Sequence, residues 1–166
     1  MRDTLITPSQ ILAWLDEVKD PEVPVLSVVE LGVVRDVHIA GSRVVVDITP
    51  TYSGCPAMHV MEEDIVRTLR ANGVEHVTVR TVFREPWTTD WMSAEAREKL
   101  RAYGIAPPLG TGEGDALVPL RRRASVPCPF CGSHHTSRQS EFGSTACKAI
   151  FVCSDCRQPF DYFKAI

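Results

Sequence analysis

Cys128-Pro129-Phe130-Cys131 and Cys153-Ser154-Asp155-Cys156 are two Cys-x-x-Cys pairs with twenty-one residues between them. No other feature leaves this chain so little freedom. Each pair makes a tight turn whose two sulfurs and free amides face one point, and two such turns close a tetrahedral sulfur shell for Zn²⁺. Four thiolates also suit iron in a rubredoxin-like shell, the minor alternative. Strand-like segments at 136–142 and 148–152 lie between the pairs, and Phe160, Tyr162 and Phe163 follow them. A segment of this size cannot hold itself together by apolar burial alone. Structural zinc is worth about 10–16 kcal/mol in small zinc peptides at neutral pH, so metal binding and folding are expected as one event. With all four tetrahedral positions filled, the site is structural and not a catalyst. His134 and His135 are expected at the surface. Cys147 is left over, either as a small buried side chain or as an accessory exchange thiol that could meet Cys55.

The rest of the chain is long enough for an ordinary domain. It has 166 residues, 44% of them apolar, which suits one domain plus a small appendage. No apolar run is long enough to span a bilayer, and no signal-like segment follows Met1, so a cytoplasmic location is expected. Disulfides seldom persist there, which makes the six cysteines thiols or ligands. The net charge of −3 is unevenly spread: residues 121–166 hold seven basic and three acidic side chains, the first 120 eleven and eighteen. Such a split implies different surroundings for the two ends, or contact between them.

Thr7 caps a first helix with Pro8 at its opening position and Gln10 closing a capping box. Ile11, Leu12, Leu15 and Val18 give that helix one apolar face, and Asp20-Pro21 stops it. Residues 33–39 and 44–49 read as strands joined by a type II′ turn at Gly41-Ser42. That turn sets Ile39 opposite Val44, Val37 opposite Val46 and Arg35 opposite Ile48, with the four central residues on one buried face. A second helix runs from Cys55 to Asn72-Gly73, a third strand from Val74 to Phe83, and Ser93 caps a third helix that ends at Gly104. The order α-β-β-α-β-α predicts an α+β fold, a small mixed sheet packed with helices. The expected domains are 1–104, a Gly/Pro-rich linker at 105–124, and the zinc ribbon at 125–166.

Within the first domain, Thr51-Tyr52-Ser53-Gly54-Cys55-Pro56 joins a strand to a helix. Gly54 allows a sharp turn and Pro56 suits a first helical position, which puts Cys55 at or beside the N-cap. Unpaired amides and the helix dipole there are expected to lower the thiol pKa, giving a metal ligand or a nucleophile. An isolated buried cysteine that only packs is the competing reading.

Asp20-Pro21-Glu22-Val23-Pro24, Leu31-Gly32-Val33-Val34, Thr51-x-x-Gly54-Cys55-Pro56 and Pro86-Trp87-Thr88 ahead of Met92-Ser93 resemble, in order, the metal–sulfur cluster biosynthesis (MIP-type) domain family. Together with the ribbon, Phe142-Gly143-Ser144-Thr145-Ala146-Cys147-Lys148 and the Pro159-to-Lys164 end resemble one subgroup, the D proteins of phenylacetyl-CoA epoxidase (ring 1,2-oxygenase) systems. The resemblance implies that Cys55 takes part in iron–sulfur cluster assembly or transfer, holding a transient cluster or iron. It places the family's acidic motif on Asp20 and Glu22 and its threonine on Thr51. It implies a non-catalytic accessory or maturation protein in aerobic phenylacetate degradation, with the oxygenase and reductase subunits as partners. A homodimer that pools two thiols is one arrangement for weak, releasable ligation.

The sequence shows neither a Glu-x-x-His di-iron motif nor a Gly-rich dinucleotide fingerprint, so the chain is read as neither oxygenase catalyst nor reductase. A bridging subunit of the oxygenase is the alternative. Nucleic-acid binding through the ribbon and Arg121-Arg122-Arg123 fits poorly with a pI near 5.9. An enzyme with Cys55 as nucleophile and His59 as base lacks a third, orienting group.

Overall fold

The computed structural model describes residues 6–52, 54–109 and 125–165. These form two compact units, 1–87 and 88–166. Arg121-Arg122-Arg123 and most of the expected linker lie outside the described residues.

In the first unit, helix α1 spans Pro8–Leu15 with the expected capping box: Thr7 accepts from the Gln10 amide, and the Gln10 side chain accepts from the Thr7 amide. The hairpin follows as β1 (Val34–Ala40) and β2 (Arg43–Ile48). Gly41 takes a φ of 62° and Ser42 stays at negative φ, as a type II′ turn requires. Ile39 faces Val44 and Val37 faces Val46, as the turn dictates. The register then slips, and Val34, not Arg35, stands opposite Ile48. The extra residue makes a β-bulge, a long-range adjustment that no turn rule anticipates. Val44, Val46 and Ile48 are essentially fully buried, while Val37 and Ile39 are half-buried because β1 is a sheet edge.

Helix α2 (Ala57–Ala71) follows, then β3 (His76–Thr81), which pairs parallel to β2. This βαβ unit returns the chain through α2, whose buried stripe Ala57, Met61, Ile65 and Leu69 repeats every four residues. The helix therefore starts at the C-terminal end of β2, where the Cys55 turn sits. Trp87 is buried and donates its indole N–H to the Leu31 carbonyl (2.9 Å).

On the opposite face of β2, Asp47 is only 1% exposed. Its carboxylate receives a two-pronged bond from Arg80, its partner on β3 (2.8 and 3.0 Å), and His38 lies 3.5 Å away. The Arg80 hydrogen bonds outweigh desolvation and hold the Asp47 pKa below its usual value. A depressed carboxylate pKa stabilises the fold above the unfolded value of about 3.9, and that contribution disappears as pH falls through the folded value. Arg80→Ala is expected to destabilise the fold at neutral pH by leaving the buried Asp47 carboxylate without its main partner, though less than loss of a fully buried partner would because Arg80 is half exposed. Urea denaturation at pH 7 and below pH ~4 checks this, since the gap between wild type and variant should narrow in acid.

The second unit begins with helix α3 (Ala94–Tyr103), capped by Ser93 and ended by Gly104 at φ 92°. The ribbon sheet has the order β4-β7-β6-β5: β4 is Ile105–Ala106, β5 Thr136–Ser140, β6 Lys148–Cys153 and β7 Pro159–Phe163. Ile105 and Ala106 were expected to open the linker, yet they pair with Asp161 and Tyr162 as a fourth ribbon strand. Two residues are too few to show a strand period, and the pairing spans more than fifty positions of sequence. Phe151 stacks on Phe160 and meets Tyr162 edge-on. With Val126, Cys128 and Cys153 they make a core of very few side chains.

Candidate functional site

The chain leaves β2 through buried Thr49, Pro50 and Thr51 and then reverses. The Cys55 amide donates to the Tyr52 carbonyl (3.3 Å) across Gly54, whose φ is 82°. Glycine meets that left-handed value at the third position of the turn without strain. Pro56 is the N-cap of α2, so Cys55 stands one residue before it and its carbonyl accepts from the Met58 amide (3.3 Å).

A second turn lies near this one in the field of the thiol. The Asp20 carboxylate accepts from the amides of Glu22 (2.7 Å) and Val23 (2.8 Å), an Asx-type turn that leaves Asp20 5% exposed. Burial pushes the Cys55 thiol above its ordinary pKa. The Ala57 amide opposes this, the Glu22 charge adds to it, the Tyr52 hydroxyl opposes it, and the Asp20 charge adds a last increment. The expectation of a lowered pKa is thus corrected. The helix does supply one donor, from Ala57, but desolvation and two carboxylates win, and Cys55 is a protonated thiol at neutral pH.

The same field has the opposite effect on a cation. Two carboxylates that disfavour a thiolate make a negative potential that favours positive charge beside the sulfur. Cys55, Glu22 and Asp20 are therefore brought into one electrostatic site, with buried Thr51 on the segment that enters the turn. His59 is 80% exposed and paired with Glu63 (3.2 Å) on its own helix. Tyr52 is the participant that motif reading misses. Its backbone carries the turn, and only the folded turn returns its hydroxyl to the sulfur.

The ribbon brings the four other sulfurs together. The sulfurs of Cys128, Cys131, Cys153 and Cys156 all lie within 4.8 Å of one another, with 3.6 Å for the pairs Cys128–Cys156 and Cys131–Cys153. A tetrahedron with 2.3 Å metal–sulfur bonds has edges of about 3.8 Å. The donor set thus fits a closed four-sulfur zinc site. Backbone donation from Gln158 lowers the Cys156 pKa, but burial and its sulfur neighbours outweigh it and push it up to about 12. Four thiols this close cannot all ionise unless a cation joins them.

The two knuckles match in detail. Gly132 and Arg157 each follow the second cysteine of a pair, and both take left-handed angles, φ 73° and 60°. Left-handed backbone costs an L-residue about 1–2 kcal/mol, part of which glycine returns through its unfolded-state entropy. Arg157→Gly is expected to stabilise the ribbon by about 0.5–1 kcal/mol, read as a higher chelator concentration for unfolding. His135 and Ser133, beside the first knuckle, both bond Asp155 in the second, and His134 contacts Ser125 (3.0 Å). Both histidines serve the surface of the ribbon. Cys147 is buried with its sulfur 3.1 Å from the Thr145 hydroxyl.

Residues 8–82 match the family model described as iron-sulfur cluster assembly protein, and residues 113–164 match the PaaD zinc beta ribbon domain. The D protein of the 1,2-phenylacetyl-CoA epoxidase of Escherichia coli (strain K12) is 48% identical over 157 residues, covering 95% of this chain and 92% of the relative. An Fe-S protein maturation auxiliary factor of Porphyromonas gingivalis (strain ATCC BAA-308 / W83) is 36% identical over 98 residues, 58% of this chain and 92% of the relative. Among solved structures, a DUF59 domain from Bacillus anthracis superposes with a TM-score of 0.53 at 32% identity, covering 55% of this chain and 89% of that one. A conserved hypothetical protein from Thermotoga maritima gives 0.50 at 36% identity, covering 57% and 94%.

Proposed function

We propose, for a chain that belongs to the family of iron–sulfur cluster assembly proteins bearing a PaaD zinc beta ribbon, a maturation role beside a phenylacetyl-CoA epoxidase. Its cargo is iron or an iron–sulfur cluster bound in transit at Cys55, and its partners are the oxygenase and reductase subunits. The reductase cluster is the destination.

The arrangement that supports this reading is the buried Cys55 thiol just before α2, with the charges of Glu22 and Asp20 near enough to raise its pKa. As an iron–sulfur bond forms at Cys55, the thiol proton leaves to solvent, and the carboxylates offset the charge of the incoming iron. One thiol with flanking carboxylates holds cargo loosely, and loose ligation permits release. The ribbon contrasts with it: four sulfurs close the shell and retain their metal. Tyr52 donates to the sulfur and fixes its direction at the mouth of the turn. No helix among the described residues is long and apolar enough to cross a membrane, which supports a cytoplasmic location as part of the same reading.

The test is a transfer assay without oxygen. The full chain is mixed with ferrous and ferric iron and sulfide, the ferric iron supplying the oxidised sites of a cluster, then separated from excess and added to cluster-free reductase. Recovery of iron, acid-labile sulfide and electron transfer in the reductase is expected, with uptake that rises with pH as proton displacement becomes easier. Reductase that fills no faster than with free iron and sulfide overturns the proposal.

A further inference from the structure

β3 is an edge strand. Its inner side pairs with β2, and among the described residues no strand pairs with its outer side. Between that edge and α2 runs an open groove of about 540 Å³ with Val66 and Val79 in its floor. Glu62 and Glu63 line it from the N-terminal half of α2, and Arg67 and Arg70 from the C-terminal half. An exposed edge is a template for another strand unless proline, a bulge or inward charge blunts it, and β3 pairs with β2 in unbroken register without a proline.

The geometry points to a second copy of this chain on this edge, its β3 antiparallel to the first about a two-fold axis that passes near Val66 and Val79. A two-fold interface must be complementary to itself. Antiparallel strand pairing reverses the partner's α2 as well, so Glu62 and Glu63 of each copy come opposite Arg67 and Arg70 of the other. The apolar centre meets its own image. A parallel arrangement would instead set acid against acid and base against base.

The charges are free to exchange partners. Glu62 accepts from the Thr81 hydroxyl (3.0 Å), Glu63 pairs with His59 and Arg67 pairs with Asp64 (2.6 Å). The first joins α2 to β3 across nineteen positions, and the other two lie within α2. All three are exposed contacts of small net value, and Arg70 is exposed. The arrangement also has a consequence for Cys55, eleven residues ahead of Val66. At 1.5 Å per residue the thiol lies ~16 Å along the helix from the axis, so the two thiols of a dimer sit at opposite ends. This dimer does not pool thiols, and each Cys55 acts alone. The inference stands apart from the cluster-transfer reading.

Sedimentation of the full chain over the micromolar range tests it. Wild type is expected to dimerise. The double variant Glu62→Arg/Glu63→Arg and the double variant Arg67→Glu/Arg70→Glu should each raise the dissociation constant at least about tenfold, and an equimolar mixture of the two should restore the dimer as a heterodimer. Should either double variant misfold by circular dichroism, Glu63→Arg mixed with Arg70→Glu makes the same comparison. A monomeric wild type, a dimer indifferent to these changes, or folded variants that fail to recover on mixing each overturn the proposal.

Discussion

Stripping the metal from the ribbon with a chelator is expected to unfold β4 to β7 while α1, α2 and the first sheet keep their structure. The buried apolar side chains of the ribbon are Ile105, Ala106, Val126, Ala149, Phe160 and Phe163, with Cys128, Cys147 and Cys153. So small a set of buried side chains does not by itself offset the ordering of some forty residues, and zinc binding, worth about 10–16 kcal/mol in small zinc peptides, supplies a large part of what folds the ribbon. The first unit holds Ile11, Leu15, Leu26, Leu31, Ile48, Met61, Ile65 and Leu69 at no more than 1% exposure and has no such dependence. Amide exchange resolves the two responses: protection should vanish in β5 and β6 and persist in α2. Metal analysis should give one zinc per chain, and Cys153→Ser should reproduce the chelated state. Protection that survives chelation in β6 would show that burial alone suffices.

The elements that short-range chemistry determines were legible from the residues. The Thr7–Gln10 capping box, the Gly41-Ser42 turn, the Asn72-Gly73 stop and the Ser93 cap each need only a few neighbouring positions, and each is present where its residues place it. The Cys-x-x-Cys spacing likewise led to the sulfur cluster, because two local turns fix its geometry. What escaped depends on distant partners. The bulge at Arg35 answers the packing of two strands against helices, and β4 exists only because β7 lies beside it. Arg80 reaches Asp47 across thirty-three positions of sequence. The Cys55 pKa belongs to the same class: the Gly54-Cys55-Pro56 turn foretold the helix amide but not the depth of burial or the carboxylates from residues 20 and 22. Local chemistry gave the shift of the thiol pKa the wrong sign.

Cys55→Ser should leave the fold intact, shifting stability by no more than about 1 kcal/mol, and should abolish delivery of iron and sulfide to the reductase. Serine keeps the shape of the turn and accepts the Ala57 amide, but its hydroxyl gives up a proton far less readily than a thiol and is a poor ligand for iron. Cells with this variant should contain normal amounts of oxygenase and reductase polypeptides, with the reductase short of iron and sulfide and phenylacetate consumption lost. Growth at the wild-type rate would make the thiol structural. A fully loaded reductase beside lost ring oxidation would indicate a bridging role instead. Glu22→Gln separates these cases further, because its two readouts move in opposite directions. Removing that charge takes away one cause of the raised Cys55 pKa, so alkylation of the thiol at fixed pH should become faster. The same change weakens the attraction for a cation, so iron retention should fall, by about 10–100-fold if Glu22 supports the bound metal. A carboxylate that only shaped the turn would change neither, since glutamine preserves the backbone amide that Asp20 holds. Faster alkylation together with weaker iron retention is therefore the signature of a thiol kept protonated until its cargo arrives.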